Sequence, residues 1–323
     1  MPRRRRQEEL IENRASGVQL DVGVTVISFN HKELLEQCLH AVSSSLESAR
    51  VSSTIVVLDN ASHDGSTAMV RTHFPDVRLI EQRDVRDFAV NQNQLFALCE
   101  ESCRHVLMLN DDAIVGPDTV QRLLAAMESD DRIAAIGPKL VYADGSFQTA
   151  GERLPGWGYH LLRHLGVGRF VPSALRFRAG GRDTGRSDGH VIREVGYVAG
   201  ACVLVRSEAL RDVGHLDERF RMYGEDADWC GECWRRGWKV CTDPSVTVVH
   251  HRRQSWSAFS AVERERSMFT YLRKHNVGGL RLGVLRALFV AKYRARLAAA
   301  RISGQSPDSI ATLQALVEVG LKA

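Results

Sequence analysis

No run of 18 or more apolar residues occurs in the 323-residue chain, so the sequence offers no candidate transmembrane helix. The opening decapeptide MPRRRRQEEL lacks the apolar stretch of a secretory signal, and a cytoplasmic, reducing location is expected. A large charge excess is also missing: the formal net charge is only +4, and no nucleic-acid partner is expected. Cysteine is sparse and odd in number, seven in all, mostly inside apolar segments where a thiol behaves as a small hydrophobe, so no disulfide framework is expected. Cys230 and Cys233 form a Cys-x-x-Cys, but no second Cys/His pair stands at zinc-finger spacing, which leaves packing as their expected role. There is no internal repeat at a solenoid period. What the chain does have is 44% hydrophobic residues, enough for a substantial core.

Residues 1–20 are charged and aperiodic and read as a flexible basic tail. From Val24 the pattern changes. Short apolar runs (VTVISF, TIVVLD, VRLIEQ, HVLMLN) alternate with helix-length amphipathic stretches such as KELLEQCLHAVSSSLESA. Buried β-rich runs separated by helices predict an α/β domain around a mostly parallel central sheet flanked by helices. In such sheets ligands bind beyond the carboxyl ends of the strands. Three of those ends are polar: Asn30-His31, DNASHDGS and NDDA. Each suits a turn or an N-cap by itself, but together they offer acceptor groups to one ligand.

After Tyr142 the chain turns Gly- and Arg-rich, and residues 143–190 show little periodicity. Long segments of this kind often serve as lids or binding loops. Arg163, Arg169, Arg176 and Arg178 suit either an anionic acceptor or a solvated surface. EVGYVAGACVLVRSEAL then reads as a strand leading into a helix. From residue 258 to 323 the pattern is helical, and the segment 280–303 interleaves Leu, Val and Phe with six basic residues. A basic amphipathic helix suits peripheral contact with a membrane surface. The same helix packed on the catalytic domain, or on a second subunit of a homo-oligomer, is the competing expectation.

Three places carry chemistry. Asp111-Asp112 follow a buried strand directly, and adjacent carboxylates need a cation or hydrogen bonds to offset their repulsion. Mn²⁺ or Mg²⁺ would take carboxylate oxygen and keep positions open for phosphate. SVTVVHH delivers His250 and His251 to a strand end, with alternation sending them to opposite faces. RMYGEDADWCGEC sets Glu225, Asp226 and Asp228 at the start of a helix, where acids complement the dipole by ~0.3–1 kcal/mol each.

The segments VTVISFNHKELLEQCLHAV, IVVLDNASHDGS, RDFAVNQNQLFAL, HVLMLNDDAIVGPDTV and GHLDERFRMYGEDADWCGECWRRGWKVCTDPSVTVVHH, in this order, resemble glycosyltransferase family 2, especially its rhamnosyltransferase-like branch. The likeness runs from about Asp21 to Trp256. It implies a GT-A fold over residues 21–257, with a donor half at about 21–115 and an acceptor half at about 116–257, followed by the C-terminal helical region 258–323. It also implies a nucleoside-diphosphate sugar (UDP- or dTDP-linked, dTDP-rhamnose included) as donor and a saccharide or lipid-linked acceptor.

Carried over by motif, Ser28, Asn30 and Asp59 look like donor-nucleoside contacts, and Asn93 a residue that orients the donor. Asp112 and His250 stand at the family's divalent-metal or diphosphate site, with Asp111 beside them on the donor and His251 as the alternative one register away. Asp226 matches the catalytic base, Glu225 its support, and Asp228 remains a first-turn residue. The sequence departs from the common pattern at Asp87, where many members have Gly, and at NDDA, which lacks the usual Pro and Thr.

The expected reaction is an inverting transfer. A carboxylate takes the acceptor hydroxyl's proton while a cation offsets charge on the leaving diphosphate. A sugar nucleotidyltransferase is the nearest alternative, but it calls for a Gly-rich basic loop after the first strand, where this chain has ISFNHKELL. A non-catalytic carbohydrate- or membrane-binding protein of the same fold is the other alternative.

Overall fold

A computed structural model describes residues 19–165, 183–187, 190–251, 258–275 and 277–323. The basic tail as far as residue 18, and Arg169, Arg176 and Arg178, lie outside them. The chain forms two compact units: Met1–Arg153 with Ala179–Leu216 and Trp229–Arg253, and Leu154–Arg178 with Asp217–Asp228 and Gln254–Ala323.

The first unit is built on the strands β1 (Leu20–Ser28), β2 (Ser53–Asp59), β3 (Arg78–Glu81), β4 (Cys103–Asn110), β5 (Ala113–Ile114), β6 (Ile133–Val141), β7 (Phe147–Thr149), β8 (Asp183–Ser187), β9 (His190–Glu194), β10 (Cys202–Arg206) and β11 (Lys239–His250). Its helices are α1 (Lys32–Ala49), α2 (Ser66–His73), α3 (Phe88–Cys99), α4 (Thr119–Glu128) and, after α5 of the other unit, α6 (Ser207–Val213). The sheet order is β3-β2-β1-β4-β10-β6-β11-β9-β8, with β5 on β11 and β7 on β6. β1, β2, β3 and β4 pair in parallel, β10 enters antiparallel between β4 and β6, and β11 runs parallel to β6.

β1 carries five consecutive buried residues because both of its faces are covered. Val22, Val24 and Val26 pack with Leu35, Leu39 and Val42 of α1 and Leu123 and Met127 of α4. Each side chain of this kind contributes about 1.5–3 kcal/mol by leaving water. On the other face a Cβ at Gly23 would stand 2.9 Å from the Cys103 sulfur and 3.1 Å from that of Cys99, so only glycine fits. Thr25 takes a 3.0 Å hydrogen bond from Gln92 Nε2 of α3. All seven cysteines are buried thiols.

Register then places the strand ends. Ser28 pairs with Asp59 across β1 and β2, and Ile27 with Asn110 across β1 and β4. The polar tails of the three strands therefore finish level, as expected from the sequence. β5 pairs His250 with Ala113, which returns the end of β11 to the acidic tail of β4.

The second unit holds α5 (Trp157–His164), the first turn of α7 (Glu225–Arg235), α8 (Ala258–Lys274), α9 (Gly279–Ile302) and α10 (Pro307–Lys322). The three helices read from residue 258 onward are present. α10 starts as its sequence SPDS dictates, with Ser306 accepting from Ser309 N–H at 3.3 Å and Pro307 in the first turn. Arg163 is half-buried, and its guanidinium lies 2.5 Å from Glu265, a carboxylate buried on α8. Phe289 of α9 meets Phe269 of α8 edge to face, with ring centroids 5.2 Å apart.

Candidate active site

The donor-side candidates gather where β1, β2 and β4 end. Asp59 is buried, and its Oδ2 accepts from Ser62 N–H at 2.9 Å. Its Oδ1 has no donor among the described residues. A buried acceptor left open next to a strand end is a place for a ligand hydroxyl or N–H. Ser28 is fully buried beside it in register. Asn30 sits in the left-handed region at φ 55°, which Asn tolerates. Its Oδ1 accepts from His63 N–H at 2.8 Å, and its own N–H donates to Ser62 Oγ at 3.0 Å. The loops after β1 and β2 are thus laced together, and Asp64 adds a 2.8 Å bond to Lys32 N–H at the start of α1.

The two carboxylates after β4 are both buried, and each takes a different imidazole. Asp111 meets Nδ1 of His31, 3.2 Å from either oxygen. Burial pushes its carboxyl up, His31 opposes that by hydrogen bond and charge, and neighbouring Asp112 adds to the rise. Asp112 Oδ1 stands 3.2 Å from His250 Nε2. His250 Nδ1 is 2.8 Å from Gln148 Oε1, and Asn110 Nδ2 is 3.4 Å from His250 Nε2. His251 contributes its backbone, its N–H donating to Asp112 C=O at 3.0 Å, and it is His250 that faces the carboxylate.

Among the described residues no three His, Cys, Asp or Glu side chains converge as a complete metal cage. Asp112 and His250 fit as two adjacent ligands. Ligands at right angles on an octahedral ion at ~2.1 Å stand about 3.0 Å apart, and the Asp112 and His250 donors are 3.2 Å apart.

Asn93, expected to orient the donor, holds backbone in place. Its Nδ2 donates to Leu216 C=O and its Oδ1 accepts from Leu216 N–H, both at 2.9 Å, so the amide clamps backbone. Asn60 plays a similar part for the loop before α3, accepting from Arg86 N–H at 2.9 Å and donating to Arg86 C=O at 3.0 Å. Asn60 also accepts from Asn91 Nδ2 at 2.9 Å, at the base of the same loop. Gln148 is the neighbour that sequence reasoning missed, while His31 and Asn60 belong to polar strand ends it noted without giving either a role. His31 and Asn60 each stand one residue past a site already singled out, whereas Gln148 lies in an aperiodic stretch that carries no signal.

In the second unit the acids of α7 follow two left-handed residues, Tyr223 at φ 69° and Gly224 at φ 91°. A bulky residue there is strained, and such strain clusters at functional sites. Ser267 Oγ donates to Met222 C=O at 2.9 Å and fixes the turn from α8. Glu225 is buried, its Oε2 has no donor among the described residues, and burial followed by the charge of Asp226 pushes its carboxyl up to about 8. Asp226 is half-buried, with Oδ1 accepting from Ala227 N–H at 2.7 Å.

Asp228 lies in the first turn of α7, as expected, and has a second role there. It is buried and accepts from Lys274 Nζ at 2.6 Å and His275 Nε2 at 2.9 Å, anchoring the end of α8. Lys274 also reaches Asp217 at 2.7 Å. Cys230 and Cys233 are buried in the core beside Trp229, and burial raises the Cys233 thiol.

A sheet with strand ends carrying buried acids beside an aspartate–histidine edge, and an acidic helix start further along the chain, defines an α/β protein of the GT-A type. The chain belongs to the family described as glycosyltransferase like family 2, whose model matches residues 20–270. It is 28% identical over 247 residues to the N-acetylglucosaminyl-diphospho-decaprenol L-rhamnosyltransferase of Mycobacterium tuberculosis, covering 72% of this chain and 76% of that one. It is 19% identical over 243 residues to the low-salt glycan biosynthesis hexosyltransferase Agl10 of Haloferax volcanii, covering 75% of this chain and 70% of that one. Among solved structures, the Pyrobaculum calidifontis mannosyltransferase PcManGT in complex with GDP-Man and Mn²⁺ superposes with a TM-score of 0.56 at 17% identity, covering 94% of this chain and 87% of that one. GalNAc-T7 with UDP, GalNAc and Mn²⁺ gives 0.55 at 14% identity, covering 79% of this chain and 48% of that one.

Proposed function

We propose that the protein moves a sugar, with inversion, from a UDP- or dTDP-linked donor to a hydroxyl of a saccharide or lipid-linked acceptor in cell-envelope synthesis. dTDP-rhamnose is the first donor to test, on the strength of the rhamnosyltransferase relative. The observation that carries the reading is the edge made by Asp112 and His250 at the carboxyl end of the sheet, level with Ser28 and Asp59.

Ser28 and Asp59 receive the donor nucleoside, with the open Asp59 Oδ1 accepting from it. Asn30 holds the loop that covers this part of the site. Asp111 acts through His31, whose ring it orients. Asp112 and His250 hold a divalent ion, Mn²⁺ or Mg²⁺, whose charge offsets that of the leaving diphosphate. Asp226 removes the proton of the acceptor hydroxyl. It suits that role better than Glu225 does, because a half-buried carboxylate can meet an acceptor whereas Glu225 is buried and holds its own proton near neutral pH. Contact with a membrane surface through α9 would bring a lipid-linked acceptor within reach.

The test is incubation with a panel of nucleoside-diphosphate sugars, acceptor saccharides and Mn²⁺, following release of the nucleoside diphosphate. Asp226→Asn is expected to lower transfer ~10²–10⁴-fold, the contribution of a general base, with donor affinity by calorimetry unchanged. Asp112→Asn is expected to lower both transfer and its Mn²⁺ dependence. An Asp226→Asn enzyme that still turns over removes this residue from the base role. Donor binding without transfer to any acceptor favours a non-catalytic binder.

A further inference from the structure

We infer that Gln148 is a positioning residue that fixes the ring tautomer of His250 and thereby makes its Nε2 a ligand. The inference rests on the sugar-transfer reading, in which Asp112 and His250 hold the cation.

The placement follows from register. β7 pairs Phe147 with Val141 of β6, and β11 pairs Val249 with the same Val141. These three residues form one row across the sheet and share a face. Gln148 falls at the register shift between the pairs Leu140–Thr149 and Val141–Phe147, the extra residue of a β-bulge, and bulges re-aim side chains; here it meets His250, one residue past Val249. Phe147, on the outer face, is exposed, whereas Gln148 is half-buried. Its Oε1 is 2.8 Å from His250 Nδ1, and its Nε2 is buried with no acceptor among the described residues. The hydrogen bond this amide makes is therefore the one to the imidazole.

An amide oxygen only accepts, so Nδ1 must carry the hydrogen. In the neutral ring Nε2 then presents a lone pair. Toward that lone pair point the carboxylate oxygen of Asp112 at 3.2 Å and the amide nitrogen of Asn110 at 3.4 Å. Two electron-rich atoms so close need a cation or a proton between them. Without Gln148 the other tautomer becomes accessible: Nε2–H would donate to Asp112 and close the ligand edge. Metal-bound histidines commonly have their second N–H held in this way, and loss of the holder costs ~10–100-fold in metal affinity.

The experiment is a Mn²⁺ titration of the full chain followed by electron paramagnetic resonance, with no donor or acceptor present. Gln148→Met keeps the side-chain volume and removes the acceptor; it is expected to weaken Mn²⁺ binding ~10–100-fold with an unchanged thermal midpoint. Gln148→Glu, a stronger acceptor, is expected to bind Mn²⁺ at least as tightly as the parent. In a His250→Ala background Gln148→Met is expected to have no additional effect. Parent-like Mn²⁺ binding by Gln148→Met, while His250→Ala loses it, overturns the role of Gln148 and leaves the function reading intact. Mn²⁺ binding that neither His250→Ala nor Asp112→Asn changes, or no uptake by the parent, overturns both the cation edge and this inference.

Discussion

Glu225 and Asp226 are neighbours in sequence but not in environment. Glu225 is buried with one oxygen unpartnered, and its carboxyl is raised from about 4.5 to about 8, while Asp226 is only half-buried. A carboxyl raised on folding binds its proton more tightly in the native state than in the unfolded chain. Its contribution is fully present below the unfolded value and is lost as pH rises through the folded one. Stability should therefore decline as pH rises from about 4.5 to about 8. Glu225→Gln, which keeps the shape and cannot ionise, should be less sensitive over that range and exceed the parent in stability at pH 9. Urea midpoints of both proteins across that range and at pH 9 decide it. Parallel slopes would show that Glu225 does not titrate there. The two acids were visible in the sequence, but their separation into one accessible and one buried group was not, because adjacency says nothing about burial. Asn93 illustrates the same limit: nothing in its motif shows that both ends of its amide clamp the backbone of Leu216.

At the scale of elements, legibility followed the buried face. β1 and α1 were readable because Val22, Val24 and Val26 recur along the strand and Leu35, Cys38, Leu39, Val42 and Leu46 recur at helix spacing. α5 was not, because its buried residues are His160 and His164 while Tyr159 and Leu162 are exposed, which inverts the usual pattern. β7 is three residues long, too short to show alternation, and Gln148 went unseen with it. Packing between α9 and α10 gives an element-scale test. A Cβ at Gly320 would stand 2.7 Å from Phe289 Cδ1 and from Val290 Cγ2. Ala gains up to ~1 kcal/mol over Gly in a helix, but overpacking costs ~1–3 kcal/mol, so Gly320→Ala should lower the thermal midpoint. Gly283 of α9 has open space around its Cβ position, and Gly283→Ala should raise it. A shift of the same sign in both variants would mean that propensity, not the helix–helix approach, sets the response.

At the scale of the whole molecule, each compact unit is assembled from three separate stretches of chain. No linear pass reads that grouping. Asp217–Asp228 joins the C-terminal helices through side chains, with Lys274 on Asp217 and Asp228 and Ser267 on Met222. What a linear pass can read is charge. α9 carries six basic residues and no acid. Arg286 is committed to the carbonyls of Gly320 and Leu321, while Arg281, Arg294, Arg296 and Arg301 are exposed. At the two ends of the helix Leu280 and Ile302 are 85% and 88% exposed. Among the described residues no helix is long and apolar enough to cross a membrane, so any attachment through α9 lies at the surface. Each basic residue near an anionic leaflet contributes about 1 kcal/mol, and the attraction is screened over ~10 Å at 0.1 M salt. Phosphatidylglycerol vesicles should therefore sediment the protein at low salt and release it as salt rises. The Arg294→Glu, Arg301→Glu double variant should bind them roughly 10-fold more weakly or worse, with transfer to a water-soluble acceptor unchanged. Vesicle binding that is indifferent both to salt and to this charge reversal would exclude α9 as the membrane-facing element.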